Sequence, residues 1–184
     1  MQTPDTTATL LPGQSVELLK ALHILTREGQ MNQDSRRKLK QVYHLFRLIE
    51  PALEALSQKN PEFTLVDHGA GKSYLGFILM DLFIKDKAPN AQVIGIERRR
   101  ELVDRSQQLA ELAGFSQMRF LTMDAEAACT SDELPTVVDM VTALHACDTA
   151  TDDAIRFALK RQAQSVVLVP CCQAEVAASL RQQK

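Results

Sequence analysis

The N-terminal third of the chain carries helical periodicity. From Ser15, apolar residues recur at Val16, Leu18, Leu19, Leu22 and Leu25, a stripe that predicts a helix ended by Gly29. A second, longer helix is expected from Asn32 or Asp34, since either side chain can cap free N–H groups. Val42, Leu45, Phe46 and Ile49 mark its buried face, and Leu53 and Leu56 continue it beyond Pro51, where a kink or break is expected. Residues 1–12, rich in Thr and holding Pro4 and Pro12, read as a loose tail.

From Phe63 the pattern alternates between strand and helix. Phe63, Leu65 and Val66 make a short buried strand, Gly69 and Gly71 a turn, and Leu75, Ile78, Leu79 and Leu82 a helix. Ala91–Ile96 predicts a second strand that stops at Glu97, followed by a helix over Arg99–Ala113 closed by Gly114. Met118–Met123 is the third strand, stopping at Asp124, and Val137–Leu144 the fourth, leading into His145-Ala-Cys-Asp148. A helix over Thr151–Gln162, a fifth strand over Ser165–Val169 and a further helix after Pro170-Cys171-Cys172 complete the series. This order predicts an α/β fold with a parallel sheet and right-handed crossovers. Residues 1–60 then form an N-terminal helical extension and 61–184 the ligand-binding domain.

Composition changes this picture in one respect. The chain has 184 residues, 45% hydrophobic and 24% charged, with a net charge of −2, so any basic surface must be local. Such a surface lies in the predicted N-terminal helices, where Arg27, Arg36, Arg37, Lys38, Lys40 and Arg47 outnumber Glu28 and Asp34. It reads either as a solvated helix face or as a phosphate-contacting surface for RNA. No apolar run reaches membrane-spanning length and no basic leader precedes an apolar core, so a cytoplasmic location without membrane contact is expected. Four cysteines, two of them adjacent, make a poor disulfide framework, and reduced thiols are expected.

Three ligand readings compete for the glycine turn. Gly71-Lys72-Ser73 fits the end of a phosphate loop, but Val66 stands where its first glycine belongs. A dinucleotide fingerprint fails at Tyr74, the third glycine position. Asp67-x-Gly69-x-Gly71 suits a ligand with a positive amino-acid end, which an acidic strand end attracts directly or through water. The other strand ends favour this third reading, although each acid alone could be a solvated strand end or a helix cap. Glu97 is placed to accept from both hydroxyls of a ribose, and Asp124 from an adenine amino group with the Ala125 N–H nearby. An adenosine with a cationic tail fits better than a pyrophosphate.

These residues resemble the class I S-adenosylmethionine-dependent methyltransferases through Val66-Asp-His-Gly-Ala-Gly71, Val93-Ile-Gly-Ile-Glu97 and Thr122-Met-Asp124. Leu144-His-Ala-Cys-Asp-Thr-Ala-Thr-Asp-Asp153 with Pro170-Cys-Cys172 is similar to the methyltransferase-domain family containing the methyltransferase-like and glutathione-S-transferase C-terminal-domain-containing proteins. It is also similar to the tRNA acceptor-stem 2′-O-methyltransferases. The resemblance implies a Rossmann-like sheet and S-adenosylmethionine as cofactor. It places Asp67, Gly69, Ala70, Gly71, Glu97, Arg98, Asp124, Ala125 and His145 around that cofactor. Ser73 replaces the third small glycine of the family's turn. The superfamily sheet has seven strands, whereas this chain stops at Lys184 after five, so the last two are expected to be absent. Strand five would then be an open edge, prone to self-association.

Methyl transfer is an in-line displacement that needs a positioned and deprotonated nucleophile. Asp148 is the first candidate for orienting or deprotonating it and His145 the second. Against these stand a helix cap for Asp148 and a packed, hydrogen-bonded role for His145. Cys147, Cys171 and Cys172 with His145 would offer zinc a tetrahedral set, but adjacent cysteines chelate one ion poorly, and buried inert thiols are the expectation. The function expected is methyl transfer to RNA, either tRNA or rRNA, contacted through Arg36, Arg37, Lys38 and Lys40. The alternatives are a protein methyltransferase or a non-catalytic S-adenosylmethionine-binding module.

Overall fold

A computed structural model describes residues 10–144 and 149–170. Five strands form one parallel sheet: β1 (Thr64–His68), β2 (Gln92–Glu97), β3 (Met118–Thr122), β4 (Met140–Leu144) and β5 (Ser165–Val169). Their spatial order is β3-β2-β1-β4-β5. The chain winds outward from β1 to β3, then returns to lay β4 on the other side of β1. Between β1 and β4 the winding reverses, and at such a switch point the carboxyl ends of the strands open a crevice for ligands. The α/β, Rossmann-like expectation is met, with β5 at one edge of the described sheet.

Alternation along β1 sorts the core into two layers. Leu65 packs with residues of α1 (Val16–Ala21), α2 (Gln33–Lys59), α3 (Tyr74–Leu79) and α5 (Arg100–Leu112). Val66 faces the other way, with Ile94, Ile96 and Val141, onto Ala128 of α6 (Ala125–Thr130) and Phe157 and Ala158 of α7 (Thr149–Lys160). The first layer includes Leu18, Leu19, Leu39, Phe46 and Leu53, so the N-terminal helices share a core with the sheet.

Several element boundaries depart from those expected. The first helix ends at Ala21, well before Gly29, because His23 turns left-handed at φ 55°. His23 N–H then bonds Lys20 O at 2.9 Å and Ile24 N–H bonds Leu19 O at 2.8 Å, a Schellman closure with Leu19 and Ile24 both buried. The second helix is capped by Asn32, which accepts from Ser35 N–H at 2.8 Å, and it runs unbroken through Pro51. Pro51 is on the exposed side, where water can take the carbonyl its missing N–H leaves free. Residues 10–12 are not loose: Leu10 and Leu11 pack on the core, and Leu11 N–H donates to the Tyr43 hydroxyl.

The α3 helix continues through a π-helical turn, Met80–Ile84, into the short α4 (Lys85–Lys87). Buried Asp81 lies in that turn, accepting from Ser15 N–H at 2.9 Å and Lys85 Nζ at 2.8 Å, which fastens the N-terminal segment to the sheet layer. The fourth strand starts at Met140, three residues later than predicted. Asp139 ahead of it is spent on joining strands. Its carboxylate accepts from Thr64 N–H at 2.9 Å and Gln164 Nε2 at 3.0 Å, and its carbonyl takes Ser165 N–H at 3.1 Å.

Candidate functional site

The turn after β1 needs three left-handed residues: Gly69 at φ 65°, Gly71 at φ 58° and Ser73 at φ 49°. Serine tolerates this because its groups are all used. Its N–H donates to Ala70 O at 2.7 Å, and its hydroxyl to Asp67 Oδ2 at 2.7 Å. Gly76 leaves that hydroxyl its place, since a Cβ there would lie 2.4 Å from Ser73 Oγ. Asp67 Oδ1 accepts from the Thr142 hydroxyl at 2.9 Å, across the β1–β4 register pair.

The structure therefore corrects the reading of Asp67. Its carboxylate is buried beneath the turn and does not line the cleft; it braces the turn against β4. Burial raises its pKa to about 6, against the opposing pull of the Ser73 and Thr142 hydroxyls. Sequence reasoning missed Thr142, Ser73 and Gly76 as its partners. Only the β1–β4 register places Thr142 beside Asp67.

Glu97 ends β2 at the lip of the crevice. Oε2 accepts from Gly71 N–H at 2.9 Å; Oε1 accepts from Arg99 N–H at 3.0 Å and Arg99 Nε at 2.9 Å. Burial pushes this carboxyl up, but the Arg99 and Gly71 donors outweigh burial and hold its pKa below the ordinary glutamate value. Ala70 N–H donates to Ile96 O at 2.8 Å, so turn and β2 are tied twice. Asp124 caps α6, accepting from Ala127 N–H at 2.8 Å with Oδ1. The helix-cap reading thus holds for Asp124, and the residue also lines the cleft.

These residues share one cleft of about 620 Å³. Its walls are the ends of β1 and β2 (His68, Gly69, Glu97, Arg98), the start of α6 (Asp124, Ala125) and one side of α7 (Thr149, Asp153, Arg156). Gly69, Glu97, Arg98, Asp124 and Ala125 are brought together as the sequence suggested; Asp67, which is buried, and Ala70 and Gly71, which are half-buried, are not among the lining residues. His145 and Asp148, with Cys147, Cys171 and Cys172, fall outside the described residues. Among the described residues no group of three metal-ligating side chains gathers, and no helix is long and apolar enough to cross a membrane.

A family model described as a methyltransferase domain matches residues 37–179. The chain belongs to this methyltransferase-domain family. A glutathione S-transferase C-terminal domain-containing protein of Bos taurus is 29% identical over 147 residues, 79% of this chain and 20% of the relative. Its Homo sapiens counterpart is 28% identical over the same length. The methyltransferase-domain chain thus spans about a fifth of the length of these curated relatives. A solved structure described as putative methyltransferase yhhF from Escherichia coli shares the fold, with a TM-score of 0.50 at 14% identity, covering 66% of this chain and 60% of that one.

The cleft fits an adenosine-bearing cofactor by its own chemistry. The glycines keep side chains off the floor at the switch point, and a Cβ on Gly69 would meet nothing within 4 Å. An ionised carboxylate, Glu97, stands at the lip, and the Asp124–Ala125 step begins the opposite wall.

Proposed function

We propose that the domain binds S-adenosylmethionine in this cleft and transfers its methyl group to an RNA. Family membership supports methyl transfer, and the gathering of Gly69, Glu97, Asp124 and Ala125 in one crevice supports the cofactor. When bound, that cofactor supplies an electrophilic methyl group on a sulfonium. Glu97, kept ionised, accepts from the ribose hydroxyls in exchange for its contacts with the exposed Arg99 guanidinium. The turn, braced by Asp67, is already in shape, so little ordering entropy is lost on binding.

The RNA reading rests on where α2 leads. Arg36, Arg37, Lys38 and Lys40 are all exposed on its first turns. Lys38 and Gln41 line a cavity of about 110 Å³ together with Tyr74 and Leu144, the last residue of β4. Of the four basic residues, Lys38 thus stands beside the strand end that leads in sequence into His145–Asp148, the candidate nucleophile-orienting segment. A guiding surface beside the reacting centre is what a polyanionic substrate requires.

Calorimetric titration with S-adenosylhomocysteine tests the cofactor. Binding is expected, and Glu97→Ala is expected to weaken it by about 10- to 100-fold, the loss of hydrogen bonds to a charged group. Equal binding of NADH, or no effect of the substitution, would count against the assignment. For the substrate, RNA affinity is measured as a function of salt. Replacing Arg36, Lys38 and Lys40 by alanine is expected to reduce the slope of log K against log salt by about 2, at about 0.7 per single-strand phosphate contact. An unchanged slope would remove α2 from the RNA path.

A further inference from the structure

Of the two ionisable side chains of β1, the brace beneath the turn uses Asp67 and leaves His68. It ends the strand between Asp67 and Gly69, yet its side chain points to the opposite face of the sheet from Asp67, by strand alternation. There it joins Ile96, its register partner on β2, in lining the cleft. The residue is 5% exposed, and Nε2 is buried with no hydrogen-bond partner among the described residues. The ring tilts against Phe157 at 5.3 Å between centroids.

An imidazole nitrogen held this way loses its hydration without gaining a hydrogen bond, a net cost relative to one that is paired. The ring packs on Phe157, but the side chains of this face, Val66, Ile94, Val141 and Phe157, are apolar and offer Nε2 no hydrogen bond; a leucine would pack among them without an orphaned nitrogen. Burial lowers its pKa, Asp153 opposes that, and Arg156, paired with Asp153 at 2.6 Å, adds to it. The imidazole is accordingly neutral at pH 7, with one nitrogen free to donate and the other to accept. A buried, unpaired polar atom on a cleft wall marks a group that a ligand completes.

We infer that His68 is a ligand-contact residue of this cleft, its Nε2 hydrogen-bonding the nucleoside portion of the bound cofactor. This rests on the cofactor reading above. The nucleoside is favoured over the amino-acid tail because His68 lines the same cleft as Ile96, its register partner, and Glu97, Met123 and Asp124, the groups assigned to the ribose and base. Asp67, the acid suited to a cationic tail, faces away. His68 thus selects for a purine nucleoside that offers a polar edge toward β1.

The test pairs binding with stability. His68→Leu, His68→Gln and wild type are titrated with S-adenosylhomocysteine and with 5′-methylthioadenosine, which lacks the amino-acid tail, and each is melted without ligand. His68→Leu is expected to melt at or above the wild-type temperature while binding both ligands about tenfold more weakly, one hydrogen bond's worth. His68→Gln, whose amide nitrogen reaches the Nε2 position, is expected to bind within about threefold of wild type. Wild-type affinity in folded His68→Leu overturns the contact. A loss seen with S-adenosylhomocysteine alone overturns the nucleoside assignment. Failure of the wild type itself to bind either ligand would instead sink the cofactor reading, so the two failures are distinguishable.

Discussion

An Arg161→Met variant is expected to lose about 3–5 kcal/mol of unfolding free energy, the loss typical of a buried charge–dipole network whose other half stays behind. Arg161 follows α7 and is 6% exposed. Its guanidinium donates to four carbonyls: Ala128 O and Ser131 O at 2.7 Å each, Pro135 O at 3.1 Å and Leu134 O at 3.4 Å. It also sits over the Phe157 ring, 5.9 Å from the centroid. Those carbonyls close α6 and the irregular chain after it, where the partial negative charge at a helix end welcomes a cation. Methionine matches the stem but leaves the carbonyls dry and unpaired. Lysine, with three donors at a single point, is expected to recover part of the loss, because it cannot span the same fork. Urea unfolding measures both variants. A cost under about 1 kcal/mol for Arg161→Met, at unchanged slope, would mean that water replaces the guanidinium freely.

The second large effect is on pH dependence. Asp67 has its pKa raised to about 6 by burial, against an ordinary value of 3.8. Between these values the native state holds a proton that the unfolded chain has released. Its contribution to stability is therefore complete below about pH 4 and is lost as pH rises through 6, to about 3 kcal/mol at most. Asp67→Asn keeps the shape and both hydroxyl contacts, one accepted and one donated, and carries no charge. The difference in stability between variant and wild type should thus swing by about 3 kcal/mol toward the variant from pH 4 to pH 7. Guanidinium unfolding at the two pH values reads this directly. Parallel pH profiles for the two proteins would show that the carboxylate is ionised at no cost.

Much of the scaffold was legible because it depends on local periodicity. Parallel strands are short apolar runs, and punctuation by glycine, proline and charged residues separates them here, so all five are legible in order. The helix that ends at Ala21 was overrun, since a histidine in the left-handed region is not a stop signal by residue type. The unbroken passage through Pro51 was not legible for the converse reason: proline's cost depends on whether its side of the helix is wet.

For the site, the sequence determined which residue types stand at the strand ends: Asp67 with its glycines, Glu97, and Asp124 with Ala125. Spacing along the chain carries that information, because a strand and its turn are neighbours in sequence. Tertiary structure alone decided what each acid does. Asp67 went under the turn because strand register set Thr142 beside it and left-handed Ser73 above it. Glu97 acquired Gly71 N–H from a turn 26 residues away. His68 was turned into the cleft by the alternation that turned Asp67 away, and its isolation follows from the apolar neighbours that α7 and the adjacent strands supply. Arg161, an unremarked residue near the end of a predicted helix, became a buried cation because α6 ends next to it. Charge, burial and partnership are properties of distant chain segments brought together, and only folding creates them.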